Sequence, residues 1–279
     1  MTSDSFPVEV RTEWLAEGGD QARLLRAWPA SAPVASLVLV HGYAEHSGRY
    51  DAFARRLAAK GISVLAPDLS GHGRSGGERA RVESFDALLE DSRRALARAA
   101  DGGVKPFLFG HSMGGLVALG LSLAEQERLA GLILSGPAIG DPGAIDALLA
   151  LDPFPELVLD STHLSRDPEV CAAYDRDPLN YRGPMPRPTV ATLVAGARSV
   201  RERWQHLRLP LLALHGGDDA LVPARGSEEL YASVASSDKE LAVLPGLRHE
   251  ILNEPEGPEI ADRIAYWILR RVEGERGVC

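Results

Sequence analysis

The sequence predicts an α/β fold with a mostly parallel central sheet and helices on both faces. Short apolar runs at residues 37–40, 62–66 and 211–214 are continuous enough for strands buried on both faces. Segments of helical period separate these runs. Because strands and helices alternate at lengths typical of βαβ units, the connected strands are expected to be parallel.

The predicted elements follow in a regular order. Two short strands around a Gly-Gly-Asp turn are expected within residues 14–28, and further strands before Ser112 and at residues 132–134 and 239–244. Helices are predicted over these stretches: 50–59, the residues after an N-cap at Ser84, the residues from about Met113, 227–235 and 258–272.

The alternation stops between residues 137 and 207. This stretch is rich in Pro and Asp, yet it carries apolar residues at amphipathic spacing, among them Ile145, Leu148 and Leu149. Structureless loops of this length are rare in compact domains, and the apolar density is too high for a disordered excursion, which is the alternative. We predict one domain, with residues 1–136 and 208–279 as its core and residues 137–207 as a helical cap.

The composition is that of a soluble globular protein. The 279 residues are 45% hydrophobic and 25% charged. The net charge of −9 and the lack of a Lys/Arg run argue against a nucleic-acid partner. We see no secretory signal pattern and no apolar run of about 18 residues, so a cytoplasmic protein is expected.

The two cysteines, Cys171 and Cys279, are expected to be free thiols. Neither has a nearby Cys or His at the spacing of metal ligands. The sequence therefore predicts neither a metal nor a cofactor.

The stretch around Ser112 points to a nucleophile. Gly110 and Gly114 flank Ser112 in the pattern G-x-S-x-G, between an apolar run and a helical pattern. A serine on so sharp a strand-to-helix turn is strained, and only small neighbours allow the backbone to fold so tightly. An ordinary Gly-Ser turn is the alternative, but the strand before the serine and the helix after it favour a catalytic residue.

A nucleophilic serine needs a base, and the base needs an acid that orients it. Of the eight histidines, His249 is the one that follows the last predicted strand. Asp218 and Asp219 both follow the strand at 211–214, and the residue pattern does not separate them. Asp68 also follows a strand, although its neighbours suit a structural turn better.

The tetrahedral intermediate needs backbone N–H donors, each worth roughly 3 kcal/mol. In a G-x-S-x-G hydrolase, one donor is the residue after the nucleophile, here Met113. The other comes from the loop after His41 and Gly42, which makes Tyr43 the second predicted donor.

Gly71, Gly73 and Gly76 imitate the G-x-G-x-x-G fingerprint of dinucleotide-binding proteins. That fingerprint requires a helix directly after the glycines, and no helical pattern begins there. We therefore expect no nicotinamide or flavin cofactor.

Four motifs in this order closely resemble the monoacylglycerol lipase / lysophospholipase family of α/β-hydrolases, and the likeness covers nearly the whole chain. They are HGYAEHSGRY at residues 41–50, PDLSGHGRS at 67–75, GHSMGG at 110–115 and HEILNE at 249–254.

The resemblance implies an α/β-hydrolase fold and places the triad acid at Asp219, which Leu-Val-Pro follows at residues 221–223. It also implies a mobile, apolar cap at residues 137–207, of which residues 164–168 and 177–179 resemble the second half. The first half, between Gly136 and Ser161, is shorter than in the family. Because the cap of this family forms the tunnel that holds the acyl chain, the resemblance does not determine the tunnel shape or the preferred chain length here.

The implied function is that of a serine carboxylester hydrolase of lipid metabolism. It would cleave lipid esters with one acyl chain, monoacylglycerol-like or lysophospholipid-like, through an acyl-enzyme on Ser112 with Asp219 and His249. The expected partners are this small-molecule substrate and, transiently through the cap, a membrane surface. A short-chain esterase, an acyltransferase with the same triad and a non-catalytic ligand-binding protein are the alternatives, and the intact triad speaks against the last.

Overall fold

The computed structural model describes residues 8–16, 18–141 and 143–276. The first seven residues and Cys279 lie outside these ranges, so the predictions made for them stay predictions. Cys171 is buried in the described structure.

Within the described ranges, eight strands form one sheet in the order β1-β2-β4-β3-β5-β6-β7-β8. The strands are β1 (Arg11–Ala16), β2 (Arg23–Trp28), β3 (Ala35–Val40), β4 (Ile62–Pro67), β5 (Phe107–His111), β6 (Gly131–Ser135), β7 (Leu211–Gly216) and β8 (Lys239–Leu244). Strand β2 is antiparallel to β1 and β4, and the other neighbouring pairs are parallel. The predicted mostly parallel sheet is confirmed.

Helices cover both faces of this sheet. They are α1 (Asp51–Ala58), α2 (Phe85–Ala99), α3 (Met113–Glu125), α4 (Gly143–Leu149), α5 (Pro168–Arg176), α6 (Arg187–Arg201), α7 (Arg225–Ser233) and α8 (Gly257–Arg276). Strand β3 shows the two-sided burial: Leu37 and Leu39 pack in the apolar cluster of α1 and α8, and Val38 and Val40 in that of α2 and α3. Among the described residues, no helix is both long and apolar enough to cross a membrane.

The predicted helix boundaries agree closely with the observed ones. Ser84 caps α2 as predicted, because its hydroxyl accepts the Ala87 N–H at 3.1 Å. Helix α7 begins two residues before the predicted Ser227. Ser227 therefore lies inside the first turn of the helix, where its hydroxyl is 2.8 Å from His215 Nδ1.

The segment between β6 and β7 contains α4, α5 and α6, with short 3-10 turns at Ser161–His163 and Trp204–His206. It is helical, as predicted. Its last part joins the main core, since Val200 and Trp204 belong to the same apolar cluster as α2 and α3. The end of the segment, including α6, is therefore packed against the helix layer of α2 and α3.

Candidate active site

Ser112 lies at the turn from β5 into α3, in a strained conformation with φ 52° and ψ −119°. A non-glycine residue in this region costs about 1–3 kcal/mol and persists only when its surroundings hold it. The Ser112 N–H donates to the Ser135 carbonyl at 3.0 Å, and the Ser112 carbonyl accepts N–H groups of Gly115 at 2.9 Å and Ala138 at 3.0 Å. These backbone bonds fix the serine in place.

The flanking glycines are needed for close packing. A Cβ built on Gly110 would overlap the carbonyl of Gly114, and one built on Gly114 would overlap the carbonyl of Val40. Neither glycine has a positive φ. Small residues are therefore required at both positions, as the pattern predicts, because α3 packs closely against β3 and β5.

His249 lies in the loop after β8, with its ring against Asp219. The distance from His249 Nδ1 to Asp219 Oδ2 is 2.7 Å, and both residues are buried. Asp219 Oδ1 accepts the backbone N–H groups of Leu221 at 2.9 Å and Val222 at 2.8 Å. The carboxylate thus orients the imidazole with Nδ1–H donating, which leaves Nε2 able to take a proton.

The charge of Asp219 is strongly stabilised. Burial alone would raise the pKa of Asp219, but hydrogen bonds from His215 and His249 hold the pKa well below its usual value. His215 contributes through Nε2, which lies 3.2 Å from Asp219 Oδ2. Asp219 is therefore ionised at neutral pH, as the partner of an imidazolium must be.

The other two candidate acids lie elsewhere. Asp218 is exposed to solvent. Asp68 is buried, but its carboxylate accepts the Ser47 N–H at 2.9 Å, the Ser47 hydroxyl at 2.6 Å and the Arg74 N–H at 2.8 Å. Of the three aspartates, Asp219 is the one in contact with His249.

Ser112 and His249 line one cavity of about 380 Å³, together with Tyr43 and Met113. Within the described residues, no hydrogen bond joins the Ser112 hydroxyl to His249. Contacts of this kind are often long before a substrate is bound and tighten only in the complex. The structure therefore brings all five sequence-predicted site residues to one place.

The N–H groups of Tyr43 and Met113 have no hydrogen-bond acceptor among the described residues. Met113 is the first residue of α3, where N–H groups have no partner within the helix, and both residues line the cavity beside Ser112, so both donors are available to a group bound there. The lack of a side chain at Gly42 lets the loop of Tyr43 lie close to Ser112, because a Cβ built on Gly42 would be only 3.3 Å from Ser112 Cβ.

His111 lies against the ring of His249, with the ring centroids 4.7 Å apart. Burial, and to a smaller extent charge repulsion by His249, lowers the pKa of His111 to about 4. His111 is therefore neutral near pH 7 and adds no positive charge beside the candidate base.

A buried ionic cluster below the cavity was not predicted. The Arg49 guanidinium donates to Glu45 at 2.8 Å and to Glu250 at 2.7 Å, and the Tyr50 hydroxyl donates to Glu45 at 2.7 Å. Burial would raise the pKa of both carboxyl groups, but Arg49 holds the pKa of each below its usual value. The cluster ties the loop of Tyr43 to the loop of His249. Its only signal in the sequence is a set of charged residues inside motifs that are otherwise apolar or glycine-rich.

Gly136 was also missed. It has φ 50°, and a Cβ built on it would lie 3.3 Å from His249 Nδ1 and 3.4 Å from Asp219 Oδ2. The lack of a side chain at Gly136 lets the chain after β6 pass close to Asp219 and His249. A single glycine after a strand does not indicate such a contact in the sequence.

The glycine-rich loop at residues 71–76 folds on itself. The Gly71 N–H donates to the Gly76 carbonyl at 2.8 Å, and the next helix, α2, begins only at Phe85. Across the described parts of the chain, no group of three or more His, Cys, Asp or Glu residues could hold a metal ion.

Comparison with known proteins bears on this site. The family profile described as "Serine aminopeptidase, S33" matches residues 31–256. The monoacylglycerol lipase of Mycolicibacterium smegmatis is 39% identical over 252 residues, which are 86% of this chain and 90% of that protein. A phospholipase of Bacillus subtilis is 31% identical over 244 residues, which are 84% of this chain and 94% of that protein.

A solved structure agrees with these relatives. The crystal structure of the Paleococcus ferrophilus monoacylglycerol lipase superposes with a TM-score of 0.78 at 29% identity, covering 89% of this chain and 98% of that one. The predicted α/β-hydrolase fold is thereby confirmed. The chain belongs to the serine aminopeptidase S33 family and is a serine hydrolase of the monoacylglycerol lipase / lysophospholipase group of α/β-hydrolases.

Proposed function

We propose that the protein hydrolyses lipid esters with a single acyl chain and a neutral head group, through an acyl-enzyme on Ser112. The observation that carries this proposal is one cavity lined by Ser112 and by His249 bound to Asp219, with the unpaired N–H groups of Tyr43 and Met113.

In this mechanism, His249 Nε2 takes the proton of the Ser112 hydroxyl as its oxygen attacks the ester carbonyl carbon. Asp219 stabilises the resulting imidazolium, and the N–H groups of Tyr43 and Met113 bind the oxyanion. His249 then gives the proton to the leaving alcohol as the ester C–O bond breaks. Water, deprotonated by His249, attacks the acyl-enzyme, and the fatty acid leaves with Ser112 restored.

A second cavity of about 510 Å³ adjoins the first and suits an acyl chain. Met113, Met185 and Leu193 are among the residues that line both cavities. The walls of the second cavity are mostly apolar, with Leu116, Val190, Val194 and Ala197 among them. A hydrocarbon chain gains about 0.8 kcal/mol for each CH₂ group it buries in such surroundings.

The head group is proposed to be uncharged. The cavity that holds Ser112 is lined by the carboxylates Glu45 and Glu250, and no Lys or Arg is among its described lining residues. Arg49 is shared between the two carboxylates, so the three groups together carry one net negative charge, which would repel a phosphate in the head group. This supports a glycerol-like head group over that of a lysophospholipid, although one relative is named a phospholipase.

We further propose that residues 137–207 act as the cap of a core formed by residues 1–136 and 208–279. Large apolar side chains are exposed on its first part, with Ile145 39%, Leu151 50% and Val158 54% accessible. Such side chains suit transient contact with a lipid surface, from which a cytoplasmic enzyme would draw its substrate.

The central test replaces Ser112 with Ala. Hydrolysis of monoacylglycerol and of p-nitrophenyl esters should fall by about 10⁶-fold if the triad acts as a unit, and labelling by a fluorophosphonate probe should disappear. Ser237→Ala, at an exposed serine, serves as the control. Substantial hydrolysis by Ser112→Ala would refute the assignment, and an unlabelled Ser112 in an inactive native protein would favour a ligand-binding protein.

The substrate assignment is tested with pairs that share one acyl chain. A monoacylglycerol should give kcat/KM at least about tenfold above the lysophosphatidylcholine, which corresponds to about 1.4 kcal/mol. The reverse order would contradict the neutral head group. Glycerol added as acceptor separates hydrolysis from acyl transfer, since a transferase would form new ester at the expense of free fatty acid.

A further inference from the structure

The loop between β3 and α1 carries Tyr43 and holds a strained residue directly after it. Ala44 has φ 64° and is 2% exposed. The left-handed region is unfavourable for alanine, because its Cβ comes too close to the carbonyl oxygen that follows. Something outside the loop must therefore hold Ala44 in this conformation.

Two groups hold Ala44 in this conformation, one in α5 and one in the chain after it. The Ala44 carbonyl accepts the Tyr181 N–H at 2.9 Å and the Tyr174 hydroxyl at 3.2 Å. The same hydroxyl lies 3.3 Å from the Tyr181 carbonyl. Both contacts of the hydroxyl are to backbone acceptors, so its proton is committed to fixing the backbone.

The ring of Tyr174 has a second contact with this loop. It lies under the Arg49 guanidinium, with 4.8 Å from Arg49 Cζ to the ring centroid. Arg49 holds Glu45, and Glu45 Oε1 accepts the Gly42 N–H at 2.6 Å. Tyr174 thus reaches the residues on both sides of Tyr43, one directly and the other through the ionic cluster.

We propose that Tyr174 is a positioning residue for the oxyanion donor at Tyr43, a role that rests on the function proposed above. The peptide carrying the Tyr43 N–H is held between two anchors, the Gly42 N–H on Glu45 and the Ala44 carbonyl on Tyr174. Together with the Tyr181 N–H, the Tyr174 hydroxyl keeps Ala44 in its left-handed conformation and so keeps the Tyr43 N–H aimed at the position of the oxyanion.

The test is Tyr174→Phe, which removes the hydroxyl and keeps the ring over Arg49. Because the oxyanion forms only in the transition state, kcat should fall by roughly 10- to 100-fold while KM stays within about threefold. The rate of fluorophosphonate labelling, which also develops negative charge on oxygen, should fall in parallel. Tyr266→Phe, at an exposed tyrosine of α8, is the control and should leave all three values unchanged.

Ala44→Gly separates positioning from a general loss of structure. Glycine adopts positive φ without strain, so a loop with Gly at 44 depends less on the hydroxyl. The Tyr174→Phe substitution should therefore lower kcat several-fold less in the Ala44→Gly background than in the native one. If Tyr174→Phe alone does not fold, the same comparison is made between Ala44→Gly and the double variant, with kcat reduced and KM unchanged as the expected result.

The proposal is overturned if Tyr174→Phe leaves kcat unchanged, if KM alone rises, or if the effect is equally large in both backgrounds. Thermal unfolding of each variant identifies a loss of folded protein. Failure of the proposed function looks different, since the native protein would then not hydrolyse esters or Ser112→Ala would retain the activity.

Discussion

Two parts of the segment between β6 and β7 are attached to the molecule in different ways. Residues 161–181, the anchored arm, hydrogen-bond to both loops of the candidate site: the Glu250 N–H donates to the Leu164 carbonyl at 2.8 Å, and His46 Nε2 lies 2.9 Å from Asp177 Oδ2. The Ala44 contacts of Tyr174 and Tyr181 belong to the same arm.

Residues 143–159, the free arm, make no hydrogen bond to either of these loops among the residues that the structure describes. Their side-chain hydrogen bonds and ion pairs in the described structure go to partners within the segment itself, as in Arg198 with Asp146 and Arg187 with the Leu149 carbonyl. The free arm instead gives apolar walls to the cavity of Ser112, through Leu157, Val158 and Leu159. The anchored arm therefore bonds to the loops of the candidate site and also lines its cavity through Leu164 and Tyr174, whereas the described part of the free arm contributes apolar wall without bonding to those loops.

The largest expected effect comes from the cluster on which the anchored arm rests. Replacing Arg49 with Met leaves Glu45 and Glu250 buried without their cation, and should lower the free energy of unfolding by about 3–5 kcal/mol. Urea denaturation measures this change. Arg187→Met, which affects only the free arm, is the matched control and should stay close to the native value. Equal losses in the two variants would contradict the distinction between the arms.

The same cluster predicts an acid dependence of stability. Arg49 lowers the pKa of Glu45 and Glu250 in the folded protein, whereas unfolded glutamate has a pKa of about 4.3. The unfolded state then binds more protons, so this stabilisation is complete above about pH 4.3 and is lost as the pH falls toward the folded pKa values. Urea titrations from neutral to acidic pH should show this loss, and Arg49→Met should show a shallower dependence. An identical slope in both proteins would exclude the cluster as its source.

The smallest effect is expected in the free arm. Leu157→Ala enlarges the cavity. The ratio of kcat/KM for long acyl chains to that for short ones should change by about tenfold, or 1–2 kcal/mol, with little change in the free energy of unfolding. A series from monobutyrin to monopalmitin measures this preference. A uniform fall in kcat for every chain length would mean that the free arm also bears on the reacting groups.

Much of the fold follows from local pattern. The strands β3, β4 and β7 are continuous apolar runs, and α2 begins where Ser84 offers a cap. Ser112 and His249 could be proposed because Ser112 directly follows β5 and His249 lies in the loop after β8, and a parallel sheet collects its functional residues beyond the carboxyl ends of its strands.

The rest depends on contacts between distant parts of the chain. Asp218 and Asp219 are neighbours, and only the packing of their loop shows which one is buried against His249. Arg49 and Glu250 are 201 positions apart, so no local pattern could pair them. Tyr174 is likewise unremarkable in sequence, since its contacts with Ala44 and Arg49 exist only once α5 has docked.

The strained backbone of Ser112 determines when the free-energy cost of its conformation arises. Because the Ser135 carbonyl and the N–H groups of Gly115 and Ala138 lock the serine backbone, its unfavourable φ is imposed when the chain folds. In the proposed reaction, Ser112 then needs no backbone rearrangement in each turnover, and the loss of conformational freedom that an unrestrained serine would suffer on reaching the transition state has already occurred. The Ser112 backbone is thus ordered once, when the chain folds, and does not have to be ordered again for each substrate molecule.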